Sequence, residues 1–312
     1  MSDLVAAYDE LRPLMFSIAY RMLGSVAEAE DVVQDAFVRM HRRVRDGVEI
    51  DSPDAFATTV TTRLAIDALR SARHRREQYV GSWLPEPLID DDADPARRIE
   101  MDETVSTAFL VVLERLSPTE RAVFLLREVF GYEYTQIAAI LDKSEQNCRQ
   151  ILTRARRSVA DARPQSERQP RPRRRSELAE AFFAALRGGD LATLEQLLAD
   201  DVVFYADGGG KAPAIRAPMH GPTPIARFVL GLGRLANQID ATIEQVIVNG
   251  QPGAEVRGED GALLGVVAVE FAEDGHVRAI TNQINPDKLT HLGRVGDLPD
   301  LIQRRGSVAA RG

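Results

Sequence analysis

Apolar residues recur at every third or fourth position through the first half of the chain, the spacing of one buried helix face. Ser25 and Glu28 match a capping box before such a run. Pro53 stands where a first-turn proline is tolerated, and its helix can extend to about Arg76. Ser117 begins another capping box. The first half is therefore predicted to be helical.

The second half changes pattern after residue 175. Residues 176–206 predict two helices and then a strand, and another helix fits within residues 222–235. Four short apolar runs separated by Gly, Asn or Asp follow, at residues 246–248, 254–257, 263–271 and 276–282. This half is predicted to be α+β.

Two breaks in the pattern predict domain boundaries. Residues 81–95 combine prolines with acids, and residues 163–176 alternate Pro, Gln, Ser and Arg without an apolar residue. A chain of 312 residues is long enough for three domains that each bury a core. We predict domains at 1–80, 101–163 and 176–312, joined by linkers at 81–100 and 164–175.

The charge of the chain is unevenly distributed. The net charge is −8, yet residues 63–76 hold five arginines against one acid, and residues 147–157 hold four arginines and no acid. Basic runs within helices favour nucleic-acid binding over a merely solvated helix face. The chain has a single cysteine, no signal-peptide pattern and no apolar run near the ~20 residues of a membrane span. We expect a cytoplasmic protein without a disulfide or a cysteine-based zinc site.

Residues 133–157 predict a helix-turn-helix. Ile137, Ala138 and Leu141 would point inward from its first helix, Ile151 and Leu152 from its second. Ser144 would cap the second helix. The alternative is a helical hairpin with a basic face. Cys148 is interpreted as a small packing residue.

Three segments carry a resemblance to a known family. "RPLMFSIAYRMLGSVAEAEDVVQDAFVRMHRR", "FATTVTTRLAIDALRSARHRR" and "LSPTERAVFLLREVFGYEYTQIAAIL" resemble regions two and four of an extracytoplasmic-function (ECF) sigma factor, the promoter-reading subunit of bacterial RNA polymerase. The resemblance covers most of residues 1–163. It implies two all-α sigma domains that bind core polymerase, through its β′ coiled coil and β flap, and promoter DNA.

The resemblance also assigns roles to individual residues. The core-polymerase-binding motif corresponds to Asp31, Val32, Val33, Gln34 and Asp35. The residues for the −10 promoter element are Arg63, Asp67, Arg70, Arg73 and His74, although relatives often have asparagine where Arg63 stands. The chemistry of the residues themselves suits Asn147, Arg149 and Gln150 to adenine and guanine edges, and Arg154, Arg156 and Arg157 to the DNA backbone. The full set of helix-turn-helix residues for the −35 element is Thr135, Gln136, Ser144, Glu145, Gln146, Asn147, Arg149, Gln150, Arg154, Arg156 and Arg157.

The third domain resembles the SnoaL-like branch of the NTF2 fold, a cone-shaped α+β domain in which an antiparallel sheet surrounds a pocket. "DGGGK" at 207–211 is not a phosphate loop, because it lacks the upstream glycine and the Ser or Thr after the lysine. A subgroup of these sigma factors carries "WLPEP", "DGGGK" and "NPDKL", and all three occur here.

This subgroup resemblance implies an interdomain latch that holds the third domain to the sigma domains or their linker, with Lys211 paired to Glu86 or to the cluster of Asp90, Asp91, Asp92 and Asp94. A tryptophan is unexpected in a free linker. The same acids would suit a path toward the polymerase active centre, and a solvated linker is the alternative. The latch residues are Trp83, Pro85, Glu86, Asp207, Gly208, Gly209, Gly210, Lys211, Asn285, Pro286, Asp287, Lys288 and Leu289.

Catalysis by the third domain is not expected. His220, His276, Asp207 and Asp240 could serve as a base, but no spacing forces any two of them together. We expect no metal, cofactor or separate anti-sigma factor, and we leave open a small-molecule ligand in the pocket. Two alternatives to a regulated sigma factor remain: a one-component DNA-binding regulator that senses a small molecule, and a DNA-binding module fused to a SnoaL-like enzyme.

Overall fold

The computed structural model describes residues 2–48, 50–77, 79–89, 106–161 and 170–309. These residues form two compact units. The first contains the described residues up to 77 together with 109–161. The second contains 79–89, 106–108 and 170–309, so the described part of the predicted acidic linker groups with the third domain.

Three helices begin the first unit: α1 (Ser2–Leu23), α2 (Val26–Arg45) and α3 (Pro53–Glu77). The Ser25 side chain accepts a hydrogen bond from the Glu28 amide at 3.2 Å, which satisfies one of the unpaired donors at the start of α2. Each of the three helices packs against the other two, and the apolar residues of α1 form the centre of this core.

Four further helices follow: α4 (Thr107–Leu113), which belongs to this unit from residue 109 on, α5 (Pro118–Phe124), α6 (Tyr134–Leu141) and α7 (Glu145–Ala160). α5 begins with the predicted capping box and continues into a π-helical stretch, Leu125–Val129. The buried Arg121 donates to the carbonyl of Met22 at 2.7 Å and to that of Leu113 at 3.0 Å. This side chain therefore connects α5 to the ends of α1 and α4.

α6 and α7 form the helix-turn-helix. Ser144 accepts a hydrogen bond from the Asn147 amide at 3.2 Å, and Ile137, Ile151 and Leu152 are buried as predicted. The prediction was wrong for Ala138 and Leu141, which remain partly exposed, because Ile140 occupies the buried position of the last turn.

The second unit combines four helices with one sheet. The helices are α8 (Pro172–Gly188), α9 (Leu191–Leu197), α10 (Pro222–Gln238) and α11 (Leu298–Ala309). The strands are β1 (Leu198–Asp207), β2 (Met219–His220), β3 (Thr242–Val248), β4 (Gln251–Arg257), β5 (Leu263–Phe271) and β6 (Val277–Gln283). α8 begins within the predicted second linker.

The sheet has the order β2-β1-β6-β5-β4-β3. β1 and β6 are parallel, whereas the other neighbouring strands are antiparallel. The expectation of an antiparallel sheet was therefore wrong at this pair. The long connection between β1 and β6, which contains α10 and strands β2 to β5, allows the chain to return in the same direction, which a short turn cannot do.

The sheet has an apolar core on each face. α8, α9 and α10 cover one face, where Phe182, Phe204 and Ile225 are buried. A smaller cluster on the opposite face contains Val266 and Leu289. Because successive strand residues point to opposite faces, the same strands contribute to both clusters.

Candidate functional site

The predicted polymerase-binding motif lies on α2 and is divided between surface and core. Asp31, Gln34 and Asp35 are exposed on one face. Val32 and Val33 are 6% and 1% exposed, so within the motif they belong to the core of the first unit. α2 packs against α1 and α3, and the polar residues of the motif lie on its exposed face.

The predicted −10 residues lie on α3. Asp67 and Arg70 are exposed and form an ion pair of 3.1 Å. Arg63 donates to the carbonyl of Ile140 at 2.7 Å and to that of Ala139 at 3.2 Å. These carbonyls lie in the last turn of α6, where the helix dipole favours a cation. Arg73 and His74 are within α3, but their side chains lie outside the described residues.

Most of the predicted −35 residues are exposed on α7, and several of them form ion pairs. Arg149 bonds Glu145 at 2.9 Å and lies over the ring of Tyr134. Arg156 bonds Glu128 at 2.7 Å. Arg154 approaches Glu120 at the longer distance of 3.7 Å. These arginines are therefore held toward α5, α6 and the π-helical stretch.

A second stripe of α7 is exposed. Gln146, Asn147, Gln150 and Arg157 point outward, and the structure assigns their side chains no hydrogen bond or ion pair with another described residue. Gln146, Gln150 and Arg157 share one face because they are separated by four and seven positions. Thr135 is also exposed, near the start of α6, while Gln136 accepts from the Glu133 amide as part of a capping box.

Cys148 lies on the inner face of α7. Its side chain is buried, and burial raises the pKa of its thiol. The position agrees with the packing role that the sequence predicted.

The three subgroup motifs meet around one buried carboxylate, Asp207, at the end of β1. Asp207 is completely buried and accepts hydrogen bonds from the Tyr79 hydroxyl at 2.5 Å and the Leu84 amide at 2.9 Å. Lys288 donates to the same carboxylate at 2.7 Å and to the Leu84 carbonyl at 2.5 Å. A buried charge is stable only when it is paired and hydrogen-bonded, as it is here.

Two polar side chains near the end of β6 extend this network. Gln283 donates to the Pro85 carbonyl at 3.3 Å, and the Asn285 amide donates to the Tyr79 hydroxyl at 2.7 Å. Burial, followed by the hydrogen bond to Asp207, raises the pKa of the Tyr79 hydroxyl. The Lys288 ammonium also lies 4.2 Å from the centre of the Trp83 ring, a cation–π contact.

The glycines of DGGGK allow the chain to turn tightly beside this network. Gly209 has a φ of +58° and donates its amide to Asp207 at 3.0 Å. A Cβ at Gly209 would collide with the amide of Asn285. Glycine is therefore required here by both its conformation and its space.

The predicted partner of Lys211 was wrong. Lys211 bonds both carboxylate oxygens of Asp287, at 2.6 and 2.7 Å, within an exposed pair. Glu86 instead lies 3.9 Å from a ring nitrogen of His291. Asp90, Asp91, Asp92 and Asp94 lie outside the described residues.

The far end of the linker segment, residues 79–89, is bound separately. The amide and carbonyl of Leu88 pair with the side chain and amide of Asn249, at 3.0 and 2.7 Å, and Ile89 forms a β-bridge with Val248. A ring nitrogen of His291 lies 2.8 Å from the Pro87 carbonyl. The linker segment is thus held along its length on the sheet face opposite α8 and α10.

Sequence reasoning missed several residues of this site: Tyr79, Leu88, Asn249, Gln283 and His291. Tyr79 and Gln283 lie within a few residues of a recognised motif, so the motif boundaries were drawn too narrowly. Asn249 has a φ of +51°, and an asparagine before a glycine signals a turn but not a partner.

An apolar cavity of about 110 Å³ lies on the other face of the sheet, between α8, α10 and the strands. No titratable side chain lines it, and His220, His276, Asp207 and Asp240 are all absent from its walls. The described residues also contain no cluster of side chains suited to holding a metal ion. Among those residues, no helix has both the length and the apolar character needed to cross a membrane.

Comparisons with known proteins match each part of this architecture. Residues 7–75 match Sigma-70 region 2, residues 106–159 match Sigma-70 region 4, and residues 179–280 match a SnoaL-like domain. The ECF RNA polymerase sigma factor SigJ of Mycobacterium tuberculosis is 37% identical over 92% of this chain and 93% of its own length.

A second relative and a solved structure indicate the same family. The probable ECF RNA polymerase sigma factor SigI of Mycobacterium tuberculosis is 33% identical over 92% of this chain and 95% of its own length. The crystal structure of Mycobacterium tuberculosis SigJ has a TM-score of 0.75 and 35% identity, covering 92% of this chain and 98% of that one. This chain therefore belongs to the ECF RNA polymerase sigma factors and carries a fused SnoaL-like domain.

Proposed function

We propose that the SnoaL-like domain of this sigma factor regulates transcription initiation by holding the linker segment. The observation that carries the proposal is the buried Asp207, which binds Tyr79 and Leu84 of the linker segment together with Lys288 of its own domain. A covalently attached domain can act in place of a separate anti-sigma protein. The binding partner is then always present at a high effective concentration.

The proposed control depends on competition for the linker. A linker segment bound along its whole length to the third domain is not available to follow a path through the polymerase. Each neutral hydrogen bond contributes a net ~1 kcal/mol and each charged one about 1.5–3 kcal/mol. Contacts with polymerase and promoter can therefore offset the binding of the linker segment.

For the polymerase contact we propose the exposed face of α2 formed by Asp31, Gln34 and Asp35. Two carboxylates and an amide on one helix face suit the basic β′ coiled coil that the resemblance to this family implies. The second polymerase contact, with the β flap, is assigned to residues 101–163 by the same resemblance.

For the −35 element we propose that the outward stripe of α7 reads DNA bases. The amides of Gln146, Asn147 and Gln150 can bond adenine edges in the major groove, and Arg157 can bond phosphate. Arg149 and Arg156 would first have to leave Glu145 and Glu128. We therefore assign base reading to the amides in preference to Arg149.

For the −10 element we propose Asp67 and Arg70, with Arg73 and His74 following along α3. Arg63 is bound to the last turn of α6. It could reach DNA only after α3 and α6 separate. We infer that Arg63 favours a closed arrangement of the two sigma regions before promoter binding.

We further propose that the third domain is not an enzyme. The cavity walls offer no acid, base or nucleophile, which removes the groups that general acid–base catalysis would need. Turnover of a substrate by residues 176–312 would contradict this.

The experiment is transcription with purified core polymerase on a pool of templates with randomised promoters, followed by sequencing of the transcripts. The full chain is compared with Asp207→Asn, which weakens the binding of the linker segment, and with Asp201→Asn, the same change at an exposed position of β1. We expect more transcript from Asp207→Asn, from the same promoters, and no change from Asp201→Asn. Equal output from all three proteins would refute control by the linker segment.

A further inference from the structure

One polar side chain, that of Asn282, lines the otherwise apolar cavity of the SnoaL-like domain. Asn282 lies on β6 between Ile280 and Ile284, and all three line the cavity. Alternation along the strand turns Asn282 toward the cavity and Gln283 toward the linker segment. The alternation of side chains along β6 therefore accounts for the position of the Asn282 amide inside the cavity.

The amide of Asn282 has no hydrogen-bond partner in the described part of the chain, although the residue is only 8% exposed. An amide carries two donors and an acceptor, and leaving them unpaired in an apolar site is unfavourable. An apolar core position is ordinarily occupied by an apolar residue, and its neighbours Ile280 and Ile284 are of that kind. Asn282 is therefore the one place in the wall where a bound molecule can form a hydrogen bond.

The other side chains of the cavity wall limit the charge and polarity of a bound molecule. Aromatic and aliphatic side chains surround the amide, among them Phe182, Phe204 and Val267, and none of the lining residues is titratable. A charged ligand would lose its hydration without gaining a counter-charge. The ligand must therefore be uncharged and mostly apolar.

The volume limits its size. A cavity of about 150 Å³ is known to accept benzene, and this cavity measures about 110 Å³. Because this cavity is the smaller of the two, we propose that the SnoaL-like domain binds an uncharged, mostly apolar molecule smaller than benzene, whose single carbonyl or hydroxyl group bonds the amide of Asn282. This goes beyond the proposed control by the linker segment and does not depend on it.

The test uses the full chain and three probes in ligand-observed NMR titrations: cyclobutanone, methylenecyclobutane and cyclobutanecarboxylate. We expect cyclobutanone to bind and cyclobutanecarboxylate to bind at least tenfold more weakly. Asn282→Leu keeps the size of the side chain and removes the amide. It should reduce the preference for cyclobutanone over methylenecyclobutane about five- to tenfold, the effect of about one hydrogen bond. The matched control is Asn237→Leu, an exposed position of α10, which should leave the preference unchanged.

A second variant covers the case in which Asn282→Leu does not fold, as judged by circular dichroism. Ala254→Val adds two methyl groups to the cavity wall on β4, where a β-branched residue is favourable. It should weaken both neutral probes. An unchanged preference in folded Asn282→Leu, or undiminished binding in Ala254→Val, overturns the proposal. Absence of cyclobutanone binding to the wild-type chain does the same. Because no measurement involves polymerase, failure here is distinct from failure of the transcription experiment.

Discussion

Two lysines of the subgroup motifs each pair with an aspartate, but their surroundings differ. The Lys288 side chain is 10% exposed and its partner Asp207 is fully buried, whereas Lys211 and Asp287 are 56% and 62% exposed. An exposed pair contributes about 0–1 kcal/mol to stability, while removal of one partner of a buried pair costs about 3–5 kcal/mol. The two residues should therefore respond very differently to the same substitution.

We predict that Lys288→Met lowers the free energy of unfolding by about 3–5 kcal/mol, because it leaves the charge of Asp207 without its ammonium partner. Lys211→Met is the matched control and should change it by about 1 kcal/mol or less. Urea denaturation of the full chain, followed by tryptophan fluorescence, reports on this directly since Trp83 lies beside Lys288. Similar losses in both variants would show that burial does not separate the two pairs.

A second prediction concerns DNA reading by α7. Gln150→Ala should cost about 1–3 kcal/mol at one position of the −35 element, whereas Arg157→Ala should weaken binding to all sequences and reduce the salt slope by about 1. Binding of the reconstituted holoenzyme to a set of single-base promoter variants, at several salt concentrations, separates the two effects. Uniform weakening by Gln150→Ala would move the base-reading role elsewhere on the helix.

At the level of single residues, the sequence predicts which residues take part in a site better than it predicts which of them pair with each other. Asp207 and Lys288 were both recognised within motifs, yet their pairing depends on strands β1 and β6 lying side by side. That juxtaposition brings together residues 81 positions apart. No local pattern carries this information, so the more exposed Lys211 was given the wrong partner.

At the level of elements, helices were the most predictable part of the fold. Capping at Ser25, Ser117 and Ser144 and apolar periodicity locate α2, α5 and α7, because those signals act within a few residues. The short strand β2 and the parallel pairing of β1 with β6 could not be foreseen. Both depend on contacts between distant segments.

The exposed polar residues of the α2 motif lead to a prediction about binding to core polymerase. Asp31→Ala combined with Gln34→Ala should weaken binding to core polymerase at least tenfold and leave helical content unchanged, because both side chains are exposed. Asp9→Ala with Glu10→Ala removes two exposed acids from α1 and serves as the control for a general charge effect. Fluorescence anisotropy of labelled protein titrated with core polymerase measures both. Equal affinities of the two double variants would contradict the assignment of polymerase binding to the exposed face of α2.

For the whole molecule, the C-terminal residues divide into two parts with different contacts. The segment up to Leu289 supplies Asn285 and Lys288 to the linker site, and Leu289 itself is fully buried. Beyond it, His291 contacts the Pro87 carbonyl, and Leu298 of α11 lines the cavity. The two parts can be removed separately.

We predict that truncation after Leu289 raises transcript output, because it loosens the linker segment while the pair of Asp207 and Lys288 remains. Truncation before Asn285 leaves Asp207 without Lys288 and exposes the cluster around Leu289, so that the domain unfolds. It should lower output, because we propose that the folded domain also gives a supporting contact to polymerase, which is then lost together with the inhibition. Reconstituted transcription and limited proteolysis of the two proteins would check this. Identical behaviour of both would mean that the NPDKL motif is an ordinary turn of the fold.

Strand β6 has a consequence for how this protein can change over evolutionary time. Its side chains alternate between the cavity, through Asn282, and the linker segment, through Gln283. Point substitutions can therefore alter one face and leave the other intact. An insertion or deletion of one residue would exchange the two faces and damage both at once. Descendants of this sequence should accordingly vary in the identity of the residue at Asn282 while keeping the length of β6 fixed.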